Sequence, residues 1–311
     1  MKKFIILSCT IILLILSAGA FLFAQHYHTY NSGSRTDSGG DDFSYSQAPA
    51  KYTPAKVVSP QGKQASRTYR IPECREVEYG MTFNVRIKTG SKSRVTVSSP
   101  ENILDYIKVK AENGVLRIET DPGISIMQEG NNTMSLEIEI PSLSRLAIAG
   151  STRTQIHGGV DKSSFTLHTA GMSVLEFDSP ILSRDVEIAM TGMSSMDVPK
   201  IRATALELSL TGVSRVKTTL IDADRLRMQL AGQSSVTASD KISCDRVDCS
   251  VTGVSEVSTQ TFMASKGKLS VTGMSRFKAE ESNASGVSIY SENSSIMLGD
   301  LQMNPDKYYY Y

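Results

Sequence analysis

Glu176 and Asp197 lie 21 residues apart, with Lys217 twenty residues further on, and they come nearest to a paired-carboxylate site in this chain. If segments about twenty residues apart stack as neighbouring strands, the two carboxylates approach within about 5 Å. At that distance they could hold a cation, or one could have its pKa raised by the other. The plainer reading is two solvated surface groups beside a lysine, and it is the one adopted. His157 and His168 have no nucleophile at a matching position, and His26 and His28 sit in a polar tract. Cys74, Cys244 and Cys249 have no histidine neighbours and so do not make a metal set. Serines recur at one fixed place, but no histidine or lysine recurs beside them to activate a nucleophile, which makes them a structural hydroxyl row. No catalytic, cofactor-binding or metal-binding residue is assigned, and no cofactor is expected.

The elements that must carry these residues are copies of one unit. Gly150, Gly171, Gly192, Gly212, Gly232, Gly253 and Gly273 each open a short signature ending in Ser or Thr, and Asn293 stands where an eighth glycine would be. The spacings are 21, 21, 20, 20, 21, 20 and 20 residues, a period that means stacked structural units. Four residues before each marker stand apolar side chains, from Leu146 through Leu208 and Cys249 to Ile289. Two before stand residues such as Ile148, Leu210 and Val271, and four after stand Leu175, Val216, Phe277 and Met297. Apolar residues at even offsets with polar ones between them describe strands with one buried face. A further small position holds Ala203, Ala223, Cys244, Ala264 and Ala284. Cys244 and Cys249 thus fall in the Ala and Leu columns, so two buried thiols are expected rather than a disulfide.

Twenty residues leave no room for a helix of ordinary length beside these strands, so the unit is a coil of short strands and bends. The expected fold is all-β, a single-stranded β-helix with a β segment leading into it. Eight coils would rise roughly 35 Å. Each would bury about four apolar side chains, worth about 1.5–3 kcal/mol apiece before entropy is charged against them. Glycine recurs because a bend needs a positive φ or a close backbone approach.

Ahead of the repeat, Lys2 and Lys3 precede an apolar run from Phe4 to Phe23, and Ala18-Gly19-Ala20 fits a signal-peptidase site. The run is also long enough to cross a bilayer uncut, so residues 1–24 are expected to be a signal peptide or a retained anchor. Cys9 follows too short an apolar stretch to be a lipoprotein cysteine. Residues 25–66, rich in Ser, Gly, Tyr, Gln and Pro, are expected to be a disordered linker. Residues 67–145 read as a β segment capping the solenoid, with a hairpin turning at Asn113-Gly114, and 146–305 as the repeat. Lys plus Arg number 33 against 32 Asp plus Glu, which gives no electrostatic reason to expect a nucleic-acid partner.

Outward positions form rows. Five residues before the marker, Glu187, Glu207, Arg227, Asp248 and Lys268 are expected to make a surface charge ladder. Ser209, Thr211, Ser250, Thr252, Ser270 and Thr272 lie at odd offsets and are expected to form a flat face of small side chains, the candidate partner-binding surface. Met172, Met193, Val213, Gln233, Val254 and Met274, one residue after the marker, leave two readings open: turned inward by the bend as ordinary core, the one preferred, or facing out as an apolar patch that marks a partner surface.

Glu101-Asn102-Ile103-Leu104-Asp105-Tyr106-Ile107, then Glu112-Asn113-Gly114-Val115-Leu116-Arg117-Ile118, and then the recurring Gly-x-Ser coil after Pro141 together resemble the bacterial head GIN domain family. This Bacteroidetes-type group is labelled autotransporter adhesin, and the resemblance covers roughly Glu76 to Pro305. It implies a right-handed β-helix, exported or membrane-tethered, and supplies no catalytic residues. The chain departs from the pattern at Asn293, where the marker glycine is missing, and in its ending Tyr308 to Tyr311. The function expected is a non-enzymatic cell-envelope adhesin or scaffold, at the cell surface or in the periplasm, binding an envelope or host protein or glycan. Two alternatives stay open: a β-helix carbohydrate-active enzyme, and a membrane-anchored structural or sensory module. The enzymes of that type build clefts from long loops between coils, and a spacing that never leaves 20 or 21 has no such loop.

Overall fold

In the middle of the repeat each strand runs nearly a whole turn before it is interrupted. The computed structural model describes residues 56–121, 123–127, 134–300 and, as backbone, 301–303 and 307–310. The expected signal or anchor, and the expected linker as far as residue 55, lie outside the described residues. Ser195–Gly212 pairs in parallel with Arg215–Gly232, that strand with Ser235–Val251, and that in turn with Glu256–Thr272.

Alternation along one such strand breaks twice, and the breaks are corners. In Ser195–Gly212 the buried side chains are Met196 and Val198, then Ile201 and Ala203, then Leu206, Leu208 and Leu210. A gap of three between Val198 and Ile201, and again between Ala203 and Leu206, turns the chain while keeping apolar residues inside. Gly212 makes the last corner. Three straight segments, 195–198, 200–203 and 205–212, therefore form three faces around one core; we call them the first, second and third face. Equivalent residues lie directly above one another, as in Leu208↔Met228↔Cys249↔Leu269. Cys244 and Cys249 are buried free thiols in their columns.

The structure is a β-solenoid of about seven turns. Eight markers bound seven intervals, which is why the expected eight coils overcount. Among the described residues the only helix is the single turn α1, Glu101–Leu104, which buries Ile103 and Leu104. No helix among the described residues is long and apolar enough to cross a membrane.

The marker corner explains its own glycine. Gly212 has φ +88° and Gly232 φ +84°, in the left-handed region that side chains avoid. A Cβ on Gly212 would also lie 2.6 Å from the carbonyl oxygen of Gly192, and one on Gly232 the same distance from that of Gly212. Both reasons for glycine hold at once. Asn293 takes φ +49°, so the last corner keeps the left-handed turn with a residue that tolerates it. That corner is nevertheless one residue shorter, since Thr272↔Glu292 is followed by Arg276↔Ser295. Ile296 consequently pairs with Phe277 and is buried, while Met297 faces outward, against its expected inward place.

Both ends are closed by strands of a different kind. Glu76–Gly80 and Asn84–Thr89 stack in parallel on the first repeat strand, Arg145–His157, so the solenoid begins before the glycines do. Val115–Thr120 and Ser135–Ile140 extend these two faces, and the hairpin Ile107–Glu112 to Val115–Thr120 turns at Asn113 and Gly114, as expected. Arg94–Pro100 and then Gln64–Arg70 finish one face in antiparallel order. Ordered strand already occupies Lys56–Val58 and starts again at Gln64, inside the last residues assigned to a linker. At the other end Leu301–Met303 and Lys307–Tyr310 run antiparallel to the last turn.

Candidate binding face

Most of the groups that could do chemistry are held in structural work. Glu176 and Asp197 do pair in register on the first face. Glu176 accepts hydrogen bonds from Arg153 at 3.1 Å and Gln155 at 3.2 Å. No group of three or more His, Cys, Asp or Glu among the described residues is arranged to hold a metal ion. His157 Nδ1 lies 2.9 Å from Asp178, whose carboxyl is held below the usual range first by the Gly158 N–H and then by His157. His168 similarly meets Glu187 at 3.2 Å and lowers its pKa.

The recurring serines are buried: Ser194, Ser214, Ser234, Ser255 and Ser275 are at most 2% exposed. Ser214 Oγ donates to Thr211 O at 3.0 Å and Ser234 Oγ to Ala231 O at 2.9 Å. They clip the corner to the strand before it, as a structural hydroxyl row should. Burial pushes the Cys244 thiol up to about 12 and moves Cys249 and Cys74 upward as well, which keeps all three protonated and inert.

The methionine and valine stripe is where the structure overturns the sequence reading. Met172, Met193, Val213, Val254 and Met274 are 43–77% exposed and project from the marker corner as a ridge. Their backbones are fixed to the turn below, with Met193 N donating to Gly171 O and Val213 N to Gly192 O, both at 2.8 Å. Strict alternation fails at this corner: glycine and the residue after it both face out, and the serine after that turns in. The core expectation extended a period of two through a place where it stops.

Beside the ridge lies the third face. Ser209, Ser250, Thr252, Ser270 and Thr272 are partly exposed and Thr211 is exposed, all pointing outward in vertical register. Further across the same face the outward residues are charged, and their signs separate along the stack. Asp185, Glu187 and Glu207 stand toward the amino-terminal end; Arg225, Arg227, Arg246, Lys266 and Lys268 stand toward the other, with Asp248 among them. A shallow groove runs over these columns, lined by Asp185, Glu187, Glu207, Arg225, Arg227 and Arg246 among others. The expected ladder is in register but barely paired. Glu207–Arg227 closes to 3.9 Å, whereas Arg225, Arg246, Lys266 and Lys268 make no ion pair among the described residues. Sequence reasoning found the −5 row and missed its neighbour Asp185/Arg225/Arg246/Lys266, because the corner before it hides the parity.

A β-solenoid of uniform turns, with a lateral face and no inserted loops in its repeat, defines the class. The chain belongs to the head GIN domain family: residues 74–300 match the family described as "Putative auto-transporter adhesin, head GIN domain". No curated protein matches it. Among solved structures it is similar to a "putative adhesin" from Parabacteroides distasonis ATCC 8503, with TM-score 0.66 and 14% identity over 78% of this chain and 99% of that one. A "putative adhesin" from Bacteroides fragilis NCTC 9343 gives TM-score 0.56 and 17% identity over 71% of this chain and 99% of that one. A "putative lipid binding protein" from Parabacteroides distasonis ATCC 8503 gives 0.56 and 16%, over 81% and 100%. At these identities the likeness is one of fold.

Proposed function

We propose that this protein is an exported, non-enzymatic adhesion or scaffolding module that binds its partner across the third face of the solenoid. The observation that carries this reading is the exposed apolar ridge from Met172 to Met274 along the edge of a flat face of small residues. A run of large apolar side chains left in water on a rigid support is the mark of a partner surface. The family's description as an adhesin supports the same reading. Uniform turns without long loops favour a lateral footprint spanning several turns over a pocket. Export rests on the Lys2-Lys3 and apolar leader of the sequence, and removal or retention of residues 1–24 would be read from the mass of the mature protein.

The test is adherence of cells displaying the full chain to a surface or to one another. Thr211→Arg with Thr252→Arg sets two bulky charges on the face, two turns apart, without touching an inward column. Adherence should fall while the melting curve stays within about 0.5 kcal/mol of the parent, as for surface substitutions elsewhere. Unchanged adherence by a folded double variant rules out this face. The purified chain should leave acidic and neutral polysaccharides uncleaved, with or without calcium. Turnover lost in Asp197→Asn would replace the adhesin reading by an enzymatic one.

A further inference from the structure

We infer that the third face docks onto a second copy of this chain, the two solenoids lying face to face with their long axes antiparallel. This rests on the reading of the third face as the docking surface, and it names the occupant.

Asp185, Glu187 and Glu207 give one end of the face negative charge, while Arg225, Arg227, Arg246, Lys266 and Lys268 outweigh Asp248 at the other. A surface with opposite charge at its two ends is complementary to itself only when one copy is inverted. For face-to-face contact of identical surfaces the two-fold axis must lie in the interface plane. An axis along the strands reverses the order of turns and sets each column against the same column of the other copy. An axis along the solenoid would instead lay charged columns against the threonine columns and the ridge, removing charges from water with no partner, which is costly. Only the first arrangement lays the charged columns against charged columns and the ridge against the ridge.

The position of the dyad follows from the ridge, which reads Met172, Met193, Val213, Gln233, Val254, Met274. Its midpoint lies between Val213 and Gln233, with methionines at both outer ends. A dyad there sets Asp185 opposite Arg246 of the partner subunit and Glu207 opposite Arg227 of the partner subunit. One like-charge meeting remains, Glu187 with Asp248 of the partner subunit; Glu187 also engages His168 of its own chain at 3.2 Å. Small residues at Ser209, Thr211, Ser250 and Thr252 let the sheets approach without side chains in the way.

The size is adequate. The six intervals from Gly150 to Gly273 rise about 29 Å and the eight residues of the face extend about 26 Å. The footprint is then roughly 750 Å² per copy, against about 800 Å² per partner in a standard specific interface. Of the cations that make no ion pair within their own chain, Arg246 gains a charge-assisted contact from Asp185 of the partner subunit, while Arg225, Lys266 and Lys268 come opposite the small residues Ala205, Ser164 and Thr166.

The experiment is the solution mass of the full-length chain by sedimentation, with charge reversal at each end. The parent is expected to be a dimer that loosens as salt rises. Asp185→Arg with Glu207→Arg, and separately Arg227→Glu with Arg246→Glu, each set like charges together at all four cross-dyad contacts of a self-pair. Each variant should be monomeric, its dissociation constant raised at least about a hundredfold. Mixing the two restores all four cross-dyad pairs, so a heterodimer should form. A monomeric parent overturns the inference, and so does a dimer that survives both reversals. The parent's mass needs no variant to fold. A monomeric parent whose adherence is still lost in Thr211→Arg/Thr252→Arg would leave the face as a docking surface and refute only the second copy as its occupant.

Discussion

At the level of single residues, the corner glycine and the inward leucine carry different burdens, and substitution separates them. Gly212→Ala meets a left-handed backbone and the Gly192 carbonyl together. It should cost about 2–4 kcal/mol in chemical denaturation, strain and overpacking combined. Leu210 is fully buried in mid-stack, and Leu210→Ala should cost about 2–5 kcal/mol through the cavity it leaves. A denaturation midpoint that hardly moved in either variant would remove the corresponding residue from the account. The glycines were legible because a fixed period exposes them, and so were the buried Cys244 and Cys249, which stand in apolar columns. Nothing in the sequence says that Met193 and Val213 face water. Only the corner geometry decides that, and one residue type can serve on either side of a bend.

At the level of elements, the turn is the unit that folds, and its three faces were only partly visible. The third face, with Leu206, Leu208 and Leu210 at strict alternation, read clearly as a strand. The second face offers just Ile201 and Ala203 between two corners, too few for a period to show. The strand at Lys56–Val58 and the first three residues of Gln64–Arg70 escaped for another reason: they are mostly exposed and give no apolar periodicity to read. Interchangeable turns make a sharp prediction. Excising residues 213–232 joins Gly212 to Gln233 and leaves every remaining column in register. The product should fold, with the far-ultraviolet spectrum of the parent and an envelope shorter by about 4.8 Å in small-angle scattering. Excising only residues 213–222 shifts every column and should give an unfolded or aggregated product. Equal outcomes for the two deletions would show that the turn is not the folding unit.

For the whole molecule, the ends matter as much as the middle. A stack of parallel strands presents unpaired N–H and C=O groups at each end, and these recruit further strands. Antiparallel strands cover them here, Gln64–Arg70 on one side and Leu301–Met303 with Lys307–Tyr310 on the other. Truncation after Leu298 should therefore yield a folded chain that associates end to end, read as concentration-dependent growth in light scattering and dye binding. A truncated chain that scattered light like the parent would mean the last turn closes its own edge.

Closed ends also bear on ancestry. When the terminal pieces are fixed and every piece between them is equivalent, unequal crossing-over within the coding tract adds or drops a twenty-codon block without disturbing the reading frame or either terminus. Height is then inherited as a whole number. Relatives of this chain should differ in stature by integral steps, and their outward residues can diverge one storey at a time while the interior stays fixed.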